Sequence, residues 1–305
     1  MAVHPRLQSL AQQLSPSPLQ PIFDAEFASH GLELWIKRDD LLHPIISGNK
    51  WRKLKYVLDH ALHLGADTLV SMGGAYSNHL HALAYAGQLL GLSTQGVIRG
   101  ECPASLNPTL NDLRQWGMQL HFVSREDYRR LRQYQRHDEL PGLPHGAYWL
   151  PEGGASDLAL RGVAEIIEEI DIAYDVLVVA CGTGTTLAGL VAATRPDTRV
   201  LGIAALKGAA FLKDDVSRLL AGRLIMADAW EVLLDYHHGG FAKTTPELLA
   251  FMQRMQSCHP LPLDPVYTAK ALYAIHDLLQ RGYFSAGQRI VMIHTGGLQG
   301  VRAMP

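Results

Sequence analysis

The sequence predicts an α/β protein of two domains, each an open, mostly parallel sheet covered by helices. From residue 66 onward, short apolar runs bounded by glycine alternate with longer segments whose apolar residues recur three and four positions apart. That is the pattern of strand and helix units around a parallel sheet. The 305 residues are 48% hydrophobic and 18% charged, enough to bury a large core and long enough for two domains. A segment at 138–151, with three prolines, two glycines and the adjacent aromatics Tyr148 and Trp149, interrupts the alternation and reads as the crossing between domains.

In chain order, a helical pattern at 51–64 precedes an apolar strand at 68–72 and a helix at 77–90. A strand at 94–99, a helix at 109–117, a strand at 119–124 and a helix at 127–137 continue the alternation. Beyond the crossing come a helix at 158–169, the strand Val176, Leu177, Val178, Val179, Ala180, and helix 185–194. A strand at 200–206, helices at 245–257 and 268–281 and a strand at 289–294 complete the set. No internal repeat or low-complexity tract is present.

Composition narrows the partners. Formal net charge is −2, and the densest basic stretch, 125–136, is interleaved with Glu126, Asp127 and tyrosines at helical spacing, which argues against nucleic acid. No apolar stretch reaches membrane-span length, and residues 1–14 carry His4, Arg6 and three glutamines where a signal peptide needs an apolar core. Cytoplasmic location and no membrane partner are expected. The three cysteines, Cys102, Cys181 and Cys258, match neither a disulfide framework nor a zinc spacing, as suits a reducing compartment. Fifteen histidines raise a metal site, yet His79 with His81 and His237 with His238 share no helix face, and neither pair has a completing carboxylate or cysteine. No metal is expected.

Lys50 closes the run Ser47, Gly48, Asn49, Lys50 at a helix start. Lysine forms Schiff bases with carbonyl cofactors once its surroundings lower its pKa, which makes pyridoxal 5'-phosphate the cofactor to test for; the bland alternative is one more solvated lysine. A second site follows the strand ending at Ala180, where Cys181, Gly182, Thr183, Gly184, Thr185 and Thr186 lead into a helix. Glycines allow a tight turn with amides aimed outward, the helix N-terminus adds positive potential, and threonines add donors, which together suit a phosphate. The dinucleotide fingerprint lacks its third glycine, the position being Leu187, and no Gly-Lys-Ser/Thr ending supports a nucleotide loop; a monophosphate ester fits better, and a plain strand-to-helix turn stays open. A third site, Ser71 to His79, again joins a strand to a helix start. Ser77 and Asn78 there are either caps alone or ligands, Asn78 for a ring hydroxyl and Ser77 with nearby amides for a substrate carboxylate.

Several motifs recur in one order. They are Ile36 to Asp40, Ser47 to Lys50, Tyr76 to His79, Pro151 to Gly154, Cys181 to Thr186, Leu263 to Lys270 and His294 to Gly297. Across nearly the whole chain this resembles the D-cysteine desulfhydrase and 1-aminocyclopropane-1-carboxylate deaminase family. The resemblance implies pyridoxal phosphate enzymes of the tryptophan-synthase β-subunit fold (fold type II), usually homodimers. It implies a larger cofactor-binding domain of residues 1–50 and 151–305 and a smaller one of 51–150. Lys50 would form the internal aldimine and then act as base on the α carbon. Asn78 would contact the ring hydroxyl, the loop from Cys181 through Gly182, Thr183, Gly184 and Thr185 to Thr186 would hold the phosphate, and Thr295 with Gly296 would face the pyridine nitrogen. Ser77 and Tyr267 would act on substrate, with Asn78, His79 and Phe241 beside it. A hydroxyl at the ring nitrogen makes a weaker electron sink than a carboxylate does, which suits β-elimination.

Thr268 and Thr295 follow the desulfhydrase branch, since the deaminases look to carry Glu and Leu there. Two residues depart from the family: Phe241 stands where a second active-site tyrosine is expected, and Tyr76 where glutamine is usual. A phenyl ring packs but donates no hydrogen bond. The expected function is α,β-elimination and deamination of a small, D-configured amino acid, with D-cysteine giving pyruvate, sulfide and ammonia as the lead. The alternatives are a deaminase of the cyclopropane acid or of another small amino acid, and a carrier or regulatory protein that binds the cofactor with little turnover.

Overall fold

A run such as Val176 to Cys181 is apolar at every position because it is buried on both faces, and it anchors the larger sheet. The structure, a computed structural model, describes residues 3–14, 16–226 and 228–303. Its elements are α1 (Pro5–Gln13), β1 (Leu19–Ile22), α2 (Ala25–Ser29), β2 (Glu33–Lys37), α3 (Asn49–His63), β3 (Thr68–Gly73), α4 (Asn78–Leu90), β4 (Ser93–Arg99), α5 (Pro108–Gln115) and β5 (Met118–Val123). There follow α6 (Arg125–Leu131), β6 (Ala147–Leu150), α7 (Asp157–Glu168), β7 (Val176–Cys181), α8 (Thr185–Ala193) and β8 (Arg199–Ala204). The remainder are α9 (Phe211–Leu219), β9 (Trp230–Leu233), α10 (Pro246–Cys258), α11 (Thr268–Gln280) and β10 (Arg289–Ile293).

Two sheets form, a six-stranded one in the order β1-β2-β10-β7-β8-β9 and a four-stranded one in the order β5-β4-β3-β6. Every strand pair is parallel except β1 with β2. Along β7 the side chains alternate between two cores. Val176, Val178 and Ala180 pack with α10 and α11, whereas Leu177, Val179 and Cys181 pack with α7, α8 and α9. The smaller sheet packs α3 and α4 against one face, and Trp149 with Tyr128 fills the other. Strand order reverses at β7 beside β10 and at β3 beside β6, so each sheet opens a crevice at its strands' carboxyl ends.

The expected α/β architecture is present, and all six expected strands form within two residues of their expected ends. Strands β1, β2, β6 and β9 were not anticipated. The crossing segment needs correction: Ala147–Leu150 is a strand paired in register with β3, and the chain leaves the small sheet only at Pro151. The helix expected at 127–137 ends at Leu131, where the chain turns so that Tyr134 O accepts the indole N–H of Trp149 at 2.9 Å.

A buried ion cluster fixes α3. The Arg52 guanidinium lies 3.0 Å from Asp39 Oδ1 and 2.6 Å from Glu169 Oε2, and the fully buried Lys37 Nζ reaches the same Glu169 oxygen at 2.6 Å. Burial works against the Glu169 charge, but hydrogen bonds from Arg52 and Lys37 overcome it and hold the carboxyl below its ordinary range. This contribution is full at neutral pH and is lost as pH falls through the lowered folded-state value, below about 4. Glu169→Gln leaves Lys37 without its carboxylate and is expected to cost about 3 kcal/mol at pH 7, read as a lower urea midpoint with unchanged slope. A midpoint within error of wild type would show that the cluster contributes nothing.

Candidate active site

Lys50 stands in the first turn of α3, and its place is fixed from three directions. Gly48, the residue capping that helix, has φ 62°, ψ −146°, and a Cβ there would lie 2.0 Å from Thr295 O, so only glycine lets the turn rest on the segment after β10. Gly48 N–H donates to Asp39 O at 3.0 Å. Asn49 Nδ2 donates to Thr186 Oγ1 at 2.8 Å, tying α3 to α8. Lys50 Nζ donates to Asn49 Oδ1, and burial lowers its pKa to about 8 against the opposing pull of Asp264. Much of this amine is therefore unprotonated near neutrality, the state in which lysine attacks a carbonyl.

The cavity that Lys50 faces has a volume of about 630 Å³, within the usual range of ligand sites. It gathers residues from both sheets. Of the residues singled out in the sequence, Lys50, Ser77, Asn78, His79, Phe241 and Tyr267 are on its wall, as are Cys181, Gly182, Thr183, Gly184, Thr186, Thr295 and Gly296. Thr185 is not: it is fully buried, and its hydroxyl pairs with that of Thr183 at 3.0 Å.

Gly184 precedes α8 with φ 73°, and no side chain caps that helix, which leaves the first-turn amides to a ligand. A Cβ at Gly182 would lie 3.2 Å from the Tyr267 ring, so its absence keeps space between loop and ring. Burial pushes the Cys181 thiol up to about 12, so it stays protonated. Ser77 caps α4, its Oγ accepting Leu80 N–H at 3.2 Å, which leaves the hydroxyl hydrogen free to donate. Asn78 Oδ1 accepts from Gln299 Nε2 at 2.6 Å, a bond between the segments that follow β3 and β10.

Tyr267 is held through its backbone. Asp264 Oδ1 accepts the N–H groups of Val266 and Tyr267 at 2.9 and 2.8 Å, and its Oδ2 accepts the Thr268 hydroxyl at 2.8 Å. Burial, then the Asp264 charge, raises the phenol well above its ordinary value, and it stays neutral. The Phe241 ring lies 6.1 Å away, in a loop where His238 and Ala242 take positive φ. Lys270 Nζ, fully buried, donates to Gly240 O at 2.8 Å and holds that loop. Thr295 and Gly296 are set by His294, which donates from Nε2 to Pro262 O at 2.7 Å and accepts Gly296 N–H at Nδ1 at 3.3 Å.

His79 is 3% exposed. Ser71 Oγ donates to Leu150 O at 2.9 Å, so it accepts at 2.9 Å from His79 Nε2, which therefore carries the ring proton. His79 Nδ1 is then a buried acceptor with no partner among the described residues. Burial, then Lys53 and Lys50, depresses the ring to about 3, and it is neutral at physiological pH.

The sequence reading missed several charges on this wall. Lys53 is three residues from Lys50 on the same face of α3; it is buried, donates to Gly153 O at 3.4 Å, and is held well below its ordinary pKa by desolvation and by Lys50. The i+3 spacing was the available signal. Arg99, Arg125, Arg132 and Lys207 also line the cavity, with Glu152 as its single carboxylate.

A family model described as pyridoxal-phosphate dependent enzyme matches residues 10–296, and the chain belongs to that family. The bifunctional D-cysteine desulfhydrase/1-aminocyclopropane-1-carboxylate deaminase of Arabidopsis thaliana is 31% identical over 298 residues, covering 89% of this chain and 74% of that protein. The D-cysteine desulfhydrase of Salmonella paratyphi A is 29% identical over 316 residues, covering 96% of this chain and 94% of the relative. The crystal structure of an ACC deaminase homologue matches with a TM-score of 0.80 and 30% identity, covering 98% of this chain and 96% of that one.

The site fits the family's cofactor on its own chemistry. It offers a lysine amine near pKa 8, an uncapped helix start behind a left-handed glycine, and the side-chain-free space at Gly182. Among the described residues no His, Cys, Asp and Glu group could hold a metal, and no helix is long and apolar enough to cross a membrane.

Proposed function

We propose that the chain is a lyase that removes the α proton of a small D-configured amino acid and eliminates its β-substituent, giving a 2-oxo acid and ammonia, with D-cysteine as the lead substrate. The observation that carries this is the convergence of the Lys50 amine, the Ser77 hydroxyl and the uncapped start of α8 on one cavity. The names of the relatives support the same substrates.

When bound, pyridoxal 5'-phosphate supplies an electron sink for the pair left by the departing proton. Lys50 would hold the cofactor's aldehyde carbon and, once freed, take the α proton at Nζ. The first-turn amides of α8 and Lys53 Nζ would hold the phosphate, and Asn78 the ring hydroxyl. Ser77 and the start of α4 would orient the substrate carboxylate, and Tyr267 would close the opposite side. Thr295 presents a neutral hydroxyl to the ring nitrogen, which favours loss of a leaving group over reprotonation. Elimination also suits Thr268, which is fully buried with its hydroxyl bound to Asp264 and offers the cavity no acid. In the same proposal residues 1–50 and 151–305 form the cofactor domain, 51–150 the smaller one, and the protein works as a cytoplasmic homodimer.

The cofactor-loaded protein is expected to release pyruvate and sulfide from D-cysteine at least about tenfold faster than from L-cysteine, because the proton must face Lys50 while Ser77 holds the carboxylate. If no 2-oxo acid forms from D- or L-cysteine, D-serine, β-chloro-D-alanine or 1-aminocyclopropane-1-carboxylate, the lyase reading is wrong.

A further inference from the structure

The cavity wall carries six lysine and arginine side chains and one carboxylate, Glu152. That carboxylate is already engaged, since Arg132 Nε lies 2.8 Å from its Oε2 and the Tyr128 hydroxyl donates to Oε1 at 2.6 Å. In the lyase reading, Lys50 loses its charge when it carries the cofactor and Lys53 answers the phosphate. Arg99, Arg125 and Lys207 remain, and none has a carboxylate within 4.0 Å among the described residues. Arg99 lies over the Tyr128 ring, 5.5 Å from its centre, and its Nη2 is 3.8 Å from where a Cβ of Gly74 would stand, in the loop leading to Ser77. Gly74 thus leaves the guanidinium room beside the place proposed for the substrate carboxylate. Arg125, at the start of α6, and Lys207, after β8, line the same cavity from opposite sheets.

One α-carboxylate does not account for three further cations. We infer that the preferred substrate is an amino acid whose β-substituent is itself a tetrahedral oxyanion, a sulfonate or a phosphate ester, met by Arg99, Arg125 and Lys207. This rests on the lyase reading and names the substrate class within it. The cavity's neutral groups agree. Phe241 has no proton to give, and Tyr267 is a weaker acid than a free phenol. Sulfite and phosphate leave as stable anions, so the departing group needs cations more than it needs an acid. The Cα–H proton passes to Lys50 Nζ, and the Cβ–S or Cβ–O bond breaks with its electron pair going to the leaving anion. The three-carbon product then takes up water to give pyruvate and ammonium, with no net oxidation or reduction.

The test compares kcat/KM of the loaded protein for D- and L-cysteate and O-phospho-D- and L-serine with that for D-cysteine and D-serine. At least one oxyanionic substrate is expected to exceed both neutral ones by about tenfold or more, consistent with a charge-assisted contact. The ratio of its kcat/KM to that of D-cysteine should fall about tenfold in Arg125→Gln and in Lys207→Gln. The cysteate and phosphoserine arms tell a sulfonate site from a phosphate site. Turnover of D-cysteine with all four oxyanionic compounds slower overturns the inference and leaves the lyase reading standing, as does an unchanged ratio in both variants. No 2-oxo acid from any compound overturns both.

Discussion

Lys50→Ala is expected to abolish covalent capture of pyridoxal 5'-phosphate and to lower turnover by at least about 10³-fold, since one side chain serves as both handle and base. Borohydride reduction of the wild type should fix the cofactor to a single peptide and bleach the absorbance of the bound form. Peptide mapping matters here because Lys53, three residues on, also has its pKa depressed by burial. The two amines differ in setting: Lys50 Nζ is held by Asn49 at the start of α3, and Lys53 Nζ points to the carbonyl of Gly153. The label should therefore fall on Lys50. The Lys50 amine is protonated below about 8 and free above it, so the rate of capture should climb as pH rises through that value and then level off. If Lys50→Ala keeps the absorbance of the attached cofactor, the assignment fails; a label on Lys53 in the wild type would move the role one turn along α3.

What the sequence disclosed and what it hid divide along physical lines. Strand β7 was legible because burial on both faces requires an unbroken apolar run, and the glycine turn after it because phosphate cradles need φ values and close approaches that only glycine allows. Strand β1 was hidden: it is an edge strand of four residues containing Pro21, and edge positions tolerate a proline that would argue against a central strand. Strand β6 lay inside a proline-rich segment, and only its pairing with β3 explains why Trp149 and Leu150 are fully buried. In the site, Ser77 and Tyr267 were found through motifs, but Thr185 belonged to the same motif and turns its hydroxyl to Thr183 instead. Local sequence says which residues sit at a turn, not which way each side chain leaves it. The Lys37, Arg52 and Glu169 cluster was out of reach for another reason. Its members come together over sequence separations of 132 and 117 residues, and nothing local marks the partners.

Gly162→Ala tests whether the packing beneath the site is as tight as its chemistry requires. By helix propensity alone, alanine in the middle of α7 should stabilise by about 1 kcal/mol. The structure reverses the sign, because a Cβ at Gly162 would lie 1.8 Å from Arg52 O and 2.9 Å from Arg52 C. The obstacle is the backbone of α3, not the end of a flexible side chain, so α3 and α7 must move apart. The expected net cost is about 3 kcal/mol, the upper end for overpacking, seen as a lower denaturation midpoint with an unchanged slope. Gly87→Ala in α4 provides the comparison: there a Cβ would meet the Thr94 methyl at 2.3 Å, and a rotation of that side chain relieves most of the clash. Gly162→Ala should therefore be the more destabilising of the two. It should also weaken cofactor binding, because Arg52 is two residues from Lys50, and α7 packs on its other side against α8, where Val163 fills the space left by Gly189. Separating α3 from α7 displaces the lysine relative to the helix proposed to hold the phosphate. A variant as stable as wild type, or one destabilised no more than Gly87→Ala, would show that α3 and α7 have slack between them and that the position of Lys50 is set elsewhere.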